Sequence, residues 1–524
     1  MSSARPWSDV SEIFRHRRAR PIERWERWVM GLLIFLGVQS VIVFGLWWFQ
    51  ARHVNQPVLF ALLSGATWYG IFRMMVGWYN AFHLEQPSEI LAPPGSSVAI
   101  FVTSSPGEPY EMFVETLEAL RKVDYPHTTY LLDDTRDPRF AALAAEKGAV
   151  HLELVGIPGA KAGKINAALP RTTEEFILVL DPDHIPFPIF LDRVLGFFSD
   201  PAIGFVQVSQ AYHNPSESFV ARAAAEQTFA FYGPIMQGMH GTGTAVAIGA
   251  NCTFRRTALE SIGGHGIGLA EDLVTSIRLH AAGWKSVYVP EVVSRGLVPA
   301  DLGSFIKQQL KWSRGVHEVL LREYGPAFRR LNGHQRISYL MIGTYYLVGL
   351  TSLIYFTIPL LYLLFGQNPA AMFLSEYVQH ALPVGIFGAV NYRYMNRWLC
   401  DPARERGWHW RGTLLKIGLW NIHLMGFLLA LLRIDVPYVP TEKKRRRAAF
   451  WRLARLPLIM ILISGATAVW TIYLRLYELP EPQVRISTEV TAGMLLFLLM
   501  NCIYVSGRIY AAWVDSRPDQ DPGA

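Results

Sequence analysis

The chain has 524 residues, 51% of them hydrophobic and 17% charged, with a formal net charge of +7. Soluble domains usually carry about 25% charged residues, so this composition excludes a chain bathed in water throughout, and the length exceeds one ordinary domain. The three cysteines, Cys252, Cys400 and Cys502, are too scattered for a disulfide framework or a cysteine-ligated zinc site.

Arg15, Arg17, Arg18 and Arg20 lead into an apolar run at 28–48 with no small-residue cleavage site close behind it. That arrangement predicts a cytoplasmic basic tail at 1–27 and a retained membrane span, not a secretory signal. Residues 58–76 predict a second span, so 28–82 form a pair. Arg73 near the end of the second is expected to snorkel toward the headgroups. The basic residues gather beside apolar segments, which fits the cytoplasmic side of a bilayer better than nucleic acid.

From residue 97 the pattern changes. Short β-branched runs at 98–102, 129–132, 152–155, 176–180 and 205–208 alternate with helical stretches at 110–122, 138–147 and 162–169. Strands alternating with helices predict a parallel, doubly wound α/β domain over 97–320. Ligands in such sheets bind beyond the carboxyl ends of the strands, and Asp133 and Asp181 fall at that edge.

Apolar segments return at 337–365, 371–390, 456–476 and 490–511. A further one, 413–432, could cross by hydropathy. The run KKRRR at 443–447 would then lie outside, against the tendency of Lys and Arg to stay in the cytoplasm. The expectation is therefore a span pair at 337–393, an interfacial or re-entrant helix within 413–447, a span pair at 456–511 and a cytoplasmic tail at 512–524. That gives about six spans plus interfacial helices.

Five groups carry chemistry. Asp181-Pro182-Asp183 follows an apolar strand; paired carboxylates suit a hard divalent cation bridging to phosphates, although the same residues make good solvated turns. Asp133-Asp134 could cap the next helix or accept hydrogen bonds from a ligand. Glu271-Asp272 opens a helix, where acids are favoured by the dipole. Gln308 to Trp312 lies on a helical stretch from 302 toward 320, where the tryptophan could anchor at an interface or floor a sugar site. Lys161 and Lys164, in a segment following Gly156 and Gly159, suit a diphosphate or a solvated loop.

In this order, after two spans, the series resembles the processive, membrane-embedded family 2 glycosyltransferases, most of all the catalytic subunits of bacterial cellulose synthases and related β-glycan synthases. KAGKINAAL at 161–169 and DPDHIP at 181–186 are close to that family's wording. The resemblance implies a nucleotide-sugar-binding (GT-A-like) domain inserted between transmembrane helices of the bacterial cytoplasmic membrane, facing the cytoplasm. It implies donor contacts from Asp133, Asp134, Lys161, Asp181, Lys311, Thr441 and Lys443, the last two in a gating-like loop at 436–443. Asp183 and Asp181 would hold Mg²⁺ or Mn²⁺. Asp272, beside Glu271, would be the general base, and Gln308, Trp312 and Cys252 would meet the acceptor. Lys311 stands where the family usually has arginine, a point charge in place of a bidentate fork. The implied reaction polymerises a UDP-sugar, UDP-glucose first, into a β-linked polysaccharide. Membrane lipids, the growing chain and accessory export subunits are the implied partners, with no nucleic acid. A non-processive transferase using a lipid acceptor and a hyaluronan- or chitin-type synthase using UDP-N-acetylglucosamine remain open.

Overall fold

Residues 98–103 read VAIFVT and all six are buried. Such a run fits a strand covered on both faces, as in parallel sheets flanked by helices. The computed structural model, which describes residues 14–437, 448–477 and 488–517, places this run at the heart of the chain's main sheet.

Two long helices come first, α1 (Arg24–Trp48) and α2 (Pro57–Phe82). The α/β domain then contributes seven strands: β1 (Val98–Thr103), β2 (Thr128–Asp133), β3 (Val150–Glu153), β4 (Phe176–Leu180), β5 (Ile203–Val208), β6 (Cys252–Arg255) and β7 (Lys285–Val289). Their order across the sheet is β3-β2-β1-β4-β6-β5-β7. The left half is parallel: Val102 of β1 pairs with Leu131 of β2 on one side and Leu180 of β4 on the other. The sheet is not parallel throughout, because β6 runs antiparallel between β4 and β5. This is a GT-A-like fold.

The domain's helices are α3 (Tyr110–Leu120), α4 (Pro138–Lys147), α5 (Ala160–Ala168), α6 (Phe219–Ala230), α7 (Glu271–Ala281) and α8 (Leu302–Glu318). Local chemistry fixes their ends. Asp137 caps α4 by accepting from the Arg139 amide at 3.0 Å, Pro138 starts the helix, and Gly148 at φ 72° ends it. Asp301 caps α8 through the Ser304 amide at 2.8 Å.

Beyond the domain follow α9 (Val348–Phe365), α10 (Leu374–Met395), α11 (Trp410–Gly418), α12 (Trp420–Leu431), α13 (Phe450–Leu476) and α14 (Thr488–Ser516). Among the described residues, five helices are long and apolar enough to cross a bilayer: α1, α2, the broken helix Gly333–Phe365 that ends in α9, α13 and α14. Their outward faces carry bare apolar side chains such as Leu46 at 73% and Leu462 at 70% exposure, which water would not tolerate in a patch of this extent. The helices α11 and α12 meet at a 53° bend and together could form a sixth span or a re-entrant loop. The fourth expected span falls on α10, which is not among the five. Glu376, His380, Asn391 and Arg393 dilute its hydropathy, and it packs along α1, with Asn391 donating to the Leu33 carbonyl at 3.1 Å.

The basic N-terminal segment is not wholly a tail. Arg17 and Arg18 pair antiparallel with Val292 and Glu291 of the α/β domain, and His16, Arg18 and Arg193 surround the buried Glu291 carboxylate.

Candidate active site

The carboxyl ends of β1, β2 and β4 open onto one crevice. Ser104 follows β1, Asp133 closes β2, and Asp181 follows β4. Asp133 is 2% exposed. Its oxygens accept from Ser104 Oγ at 2.6 Å and from the Thr135 amide and hydroxyl at 2.9 and 2.8 Å, and His151 Nε2 lies 2.9 Å away. Burial alone would raise its pKa. The hydrogen bonds outweigh burial and hold it below the usual carboxylate range. Asp133 is thus fixed in the crevice wall by its neighbours. Asp134 turns the other way: it accepts from the Gly156 amide at 2.9 Å and stands 3.6 Å from Lys164 Nζ.

Lys164 is 1% exposed and bonds the Ser104 carbonyl and, at 3.0 Å, Ser105 Oγ. Burial pulls its pKa down, against the neighbouring Asp134. One turn earlier Lys161 donates to Asp181 Oδ1 and to the Gly249 carbonyl. Gly163 between the two lysines is required: a Cβ there would sit 1.9 Å from the Pro158 carbonyl oxygen.

Gly249 joins the two acidic sites. It bonds Lys161 through its carbonyl, and a Cβ on it would lie 3.5 Å from Asp272 Oδ2. The ammonium of Lys161 thus sits between Asp181 and the Glu271-Asp272 pair, and the negative field raises its pKa despite burial. Glu271 and Asp272 form the first turn of α7, Asp272 Oδ1 accepting from the Leu273 amide at 2.8 Å. Burial first, and then the Glu271 charge, push Asp272 up to about 7. Glu271 is also raised by burial, while Lys161 and Lys311 oppose the shift.

Ligand atoms of Asp181, Asp183 and His184 lie within 4.8 Å of one another. Asp183 is held by the Leu297 amide at 3.1 Å, and His184 Nδ1 is 3.2 Å from Asp183 Oδ1. His184 Nε2 is buried with no partner among the described residues. Two carboxylates and an imidazole with a spare nitrogen fit a divalent ion. Gly296 packs against the ring so tightly that a Cβ would lie 2.4 Å from it.

The box helix α8 reaches this crevice through another glycine. A Cβ on Gly315 would meet the Ala270 amide nitrogen at 2.9 Å, so α8 lies directly against the start of α7. Gln308, Lys311 and Trp312 are partly exposed, and Lys311 is close enough to Glu271 to lower its pKa. Gln309, not Gln308, is buried, with His423 Nε2 at 3.4 Å from its Oε1. Cys252 opens β6 opposite Val179 and Gln207, 1% exposed against the apolar layer beneath the sheet, and near enough to Asp272 and Lys161 to feel their charges. Thr441 and Lys443 lie outside the described residues. The segment leading to them is tied back by Arg314, which donates to the Ile434 carbonyl at 3.1 Å and to Asp435 at 3.2 Å.

Ser104, His151 and Gly296 escaped sequence reasoning because each acts through a contact far away in the chain. Only the glycine-rich stretch at 156–163 carried a local signal.

Residues 93–315 match the family model described as glycosyltransferase-like family 2, and 260–382 match that of cellulose synthase. Cellulose synthase 1 of Komagataeibacter xylinus is 30% identical over 342 residues, covering 63% of this chain and 22% of that protein. The UDP-forming cellulose synthase catalytic subunit of Xanthomonas axonopodis pv. citri is 28% identical over 328 residues, covering 59% of this chain and 45% of its own. The chain thus spans less than half the length of these relatives. Among solved structures, the mannosyltransferase PcManGT of Pyrobaculum calidifontis, in complex with GDP-Man and Mn²⁺, aligns over 72% of this chain and 100% of its own, at 15% identity and a TM-score of 0.48.

Proposed function

We propose that this chain, a cellulose synthase-like family 2 glycosyltransferase, polymerises a UDP-sugar into a β-linked polysaccharide at the inner face of the bacterial cytoplasmic membrane. UDP-glucose is the donor favoured by the relatives, whose names include UDP-forming cellulose synthases. The observation that carries the reading is the Gly249 junction, which brings Asp181 and Asp272 to opposite sides of one lysine.

Asp134, Lys161 and Lys164 line the donor side. Asp181, Asp183 and His184 would hold a divalent ion, Mg²⁺ or Mn²⁺, which when bound supplies positive charge to the diphosphate. Asp272, raised to about 7, takes the proton from the acceptor hydroxyl, which then attacks the anomeric carbon from the face opposite the diphosphate and inverts its configuration. Lys161 and Lys311 add fixed positive charge where the leaving group gains negative charge. Gln308 and Trp312 hold the acceptor end, with the partly exposed indole as its floor. The product leaves between the apolar helices.

The test is incubation of the purified full chain with UDP-glucose and UDP-N-acetylglucosamine in turn, followed by linkage-specific glycanases. A long β-linked product supports the reading. Single sugar additions to an extracted lipid would replace it with the lipid-acceptor reading.

A further inference from the structure

Two cations outside the catalytic crevice meet on one aromatic ring. The Arg73 guanidinium of α2 lies 5.0 Å from the Tyr345 ring centroid, and Lys416 Nζ of α11 lies 4.0 Å from it. Arg73 also donates to the Met341 carbonyl. Neither cation has a carboxylate partner among the described residues. Their partners are a neutral carbonyl and Tyr345, whose ring faces both cations and whose hydroxyl also bonds Lys416, and both cations remain partly exposed.

Arg73 stands three residues inside the end of the expected span 58–76, about 5 Å along a helix, where a long cationic side chain reaches the headgroups. Two like charges meeting there repel each other unless an anion joins them.

A cavity lies further out along the same helix. Six residues further out on α2, about 9 Å, Thr67 accepts from Tyr355 of α9 at 3.3 Å. Both belong to the wall of a cavity lined also by Trp48, Phe373, Tyr377 and Phe497. Among its lining residues none is charged or an amide. A glycan passing here would find few hydrogen-bond partners, whereas an acyl or prenyl chain would find a matching surface.

We propose that Arg73 and Lys416 bind the phosphate of an anionic membrane lipid from the cytoplasmic leaflet, with its hydrocarbon tail rising along α2 and α9 into this cavity. Tyr69 keeps the site open by donating to the Thr344 and Tyr345 carbonyls at 2.7 and 3.0 Å, which hold Tyr345 at the break in the helix. The site lies beyond the acceptor box, connected through the Tyr346 ring, which is 4.9 Å from Tyr345 and 5.0 Å from His423, the neighbour of Gln309. The inference does not depend on which sugar is transferred.

The test uses the full chain in nanodiscs of phosphatidylglycerol and phosphatidylcholine with identical acyl chains, released into detergent and weighed by native mass spectrometry. Wild type retains phosphatidylglycerol over phosphatidylcholine by on the order of tenfold. The double variant Arg73→Gln, Lys416→Gln retains both alike, and Lys416→Arg keeps the preference. If the double variant fails to fold, Lys416→Gln alone must reduce the preference. A wild type without preference, or a folded double variant that keeps it, overturns the proposal. Displacement of the lipid by an equal concentration of soluble glycerol 3-phosphate overturns the placement of the tail.

Discussion

Arg295 and Asp401 form an ion pair in which both side chains are at most 2% exposed. Arg295 lies opposite Ile185, two residues beyond Asp183, and Asp401 lies in the segment that follows α10. The pair therefore ties the turn that carries Asp183 to the segment between α10 and α11. Removing one partner leaves a buried charge, and such losses cost about 3–5 kcal/mol. Asp401→Asn should lower the midpoint of denaturant unfolding. An apolar replacement of both residues should recover much of the loss while leaving Asp183 less well held, so metal affinity should stay weakened. The two readouts are unfolding and Mn²⁺ titration.

Gly296→Ala addresses the same turn from the other side. The added methyl would sit 2.4 Å from the His184 ring, so the imidazole must move away from Asp183. Support residues of this kind change metal affinity by about 10–100-fold. Mn²⁺ titration should show a loss in that range with the fold intact by circular dichroism. Unchanged affinity would remove His184 from the ligand set.

The pH dependence follows from the first turn of α7. In the proposed mechanism Asp272 acts as a base only when deprotonated, and burial followed by the Glu271 charge raises it to about 7. Turnover should therefore fall as pH drops through about 7 and level off above it. Glu271→Gln removes the like charge, so the acidic limb should shift to lower pH. A limb that stays fixed would mean that Glu271 does not act on the titrating group.

Much of the fold was legible, for reasons visible in particular residues. VAIFVT and FILVL are buried on both faces, so their composition announced β1 and β4. The acids that follow β2 and β4 were found because they sit next to those signals. By contrast, β6 reads CTFR, too short to register, and its antiparallel place between β4 and β5 depends on pairing with distant strands. The inward turn of Asp133 was hidden because Ser104 and His151 meet it only in three dimensions. Helix α10 carries the expected apolar residues, with Val378, Leu382, Ile386 and Val390 exposed, while Glu376, His380, Asn391 and Arg393 thin its hydropathy. The neighbours of Cys252 across the sheet, Val179 and Gln207, could not be read from the sequence because they come from distant strands.

Lys161 offers a further check. Lys161→Gln removes the charge between Asp181 and Asp272, and Lys161 lowers the Asp272 pKa. The acidic limb of the rate profile should therefore move to higher pH, opposite to the effect of Glu271→Gln, and donor affinity should fall. A shift in the same direction as Glu271→Gln would contradict the shared crevice.

The most direct measurement of the central claim compares wild type, Asp272→Asn and Asp183→Asn for UDP-glucose binding and for UDP release in the presence of Mn²⁺. The account predicts that Asp272→Asn binds donor as wild type does while turnover falls by about 10²–10⁴, and that Asp183→Asn loses metal-dependent donor binding. An Asp272→Asn protein that transfers sugar at the wild-type rate would contradict it.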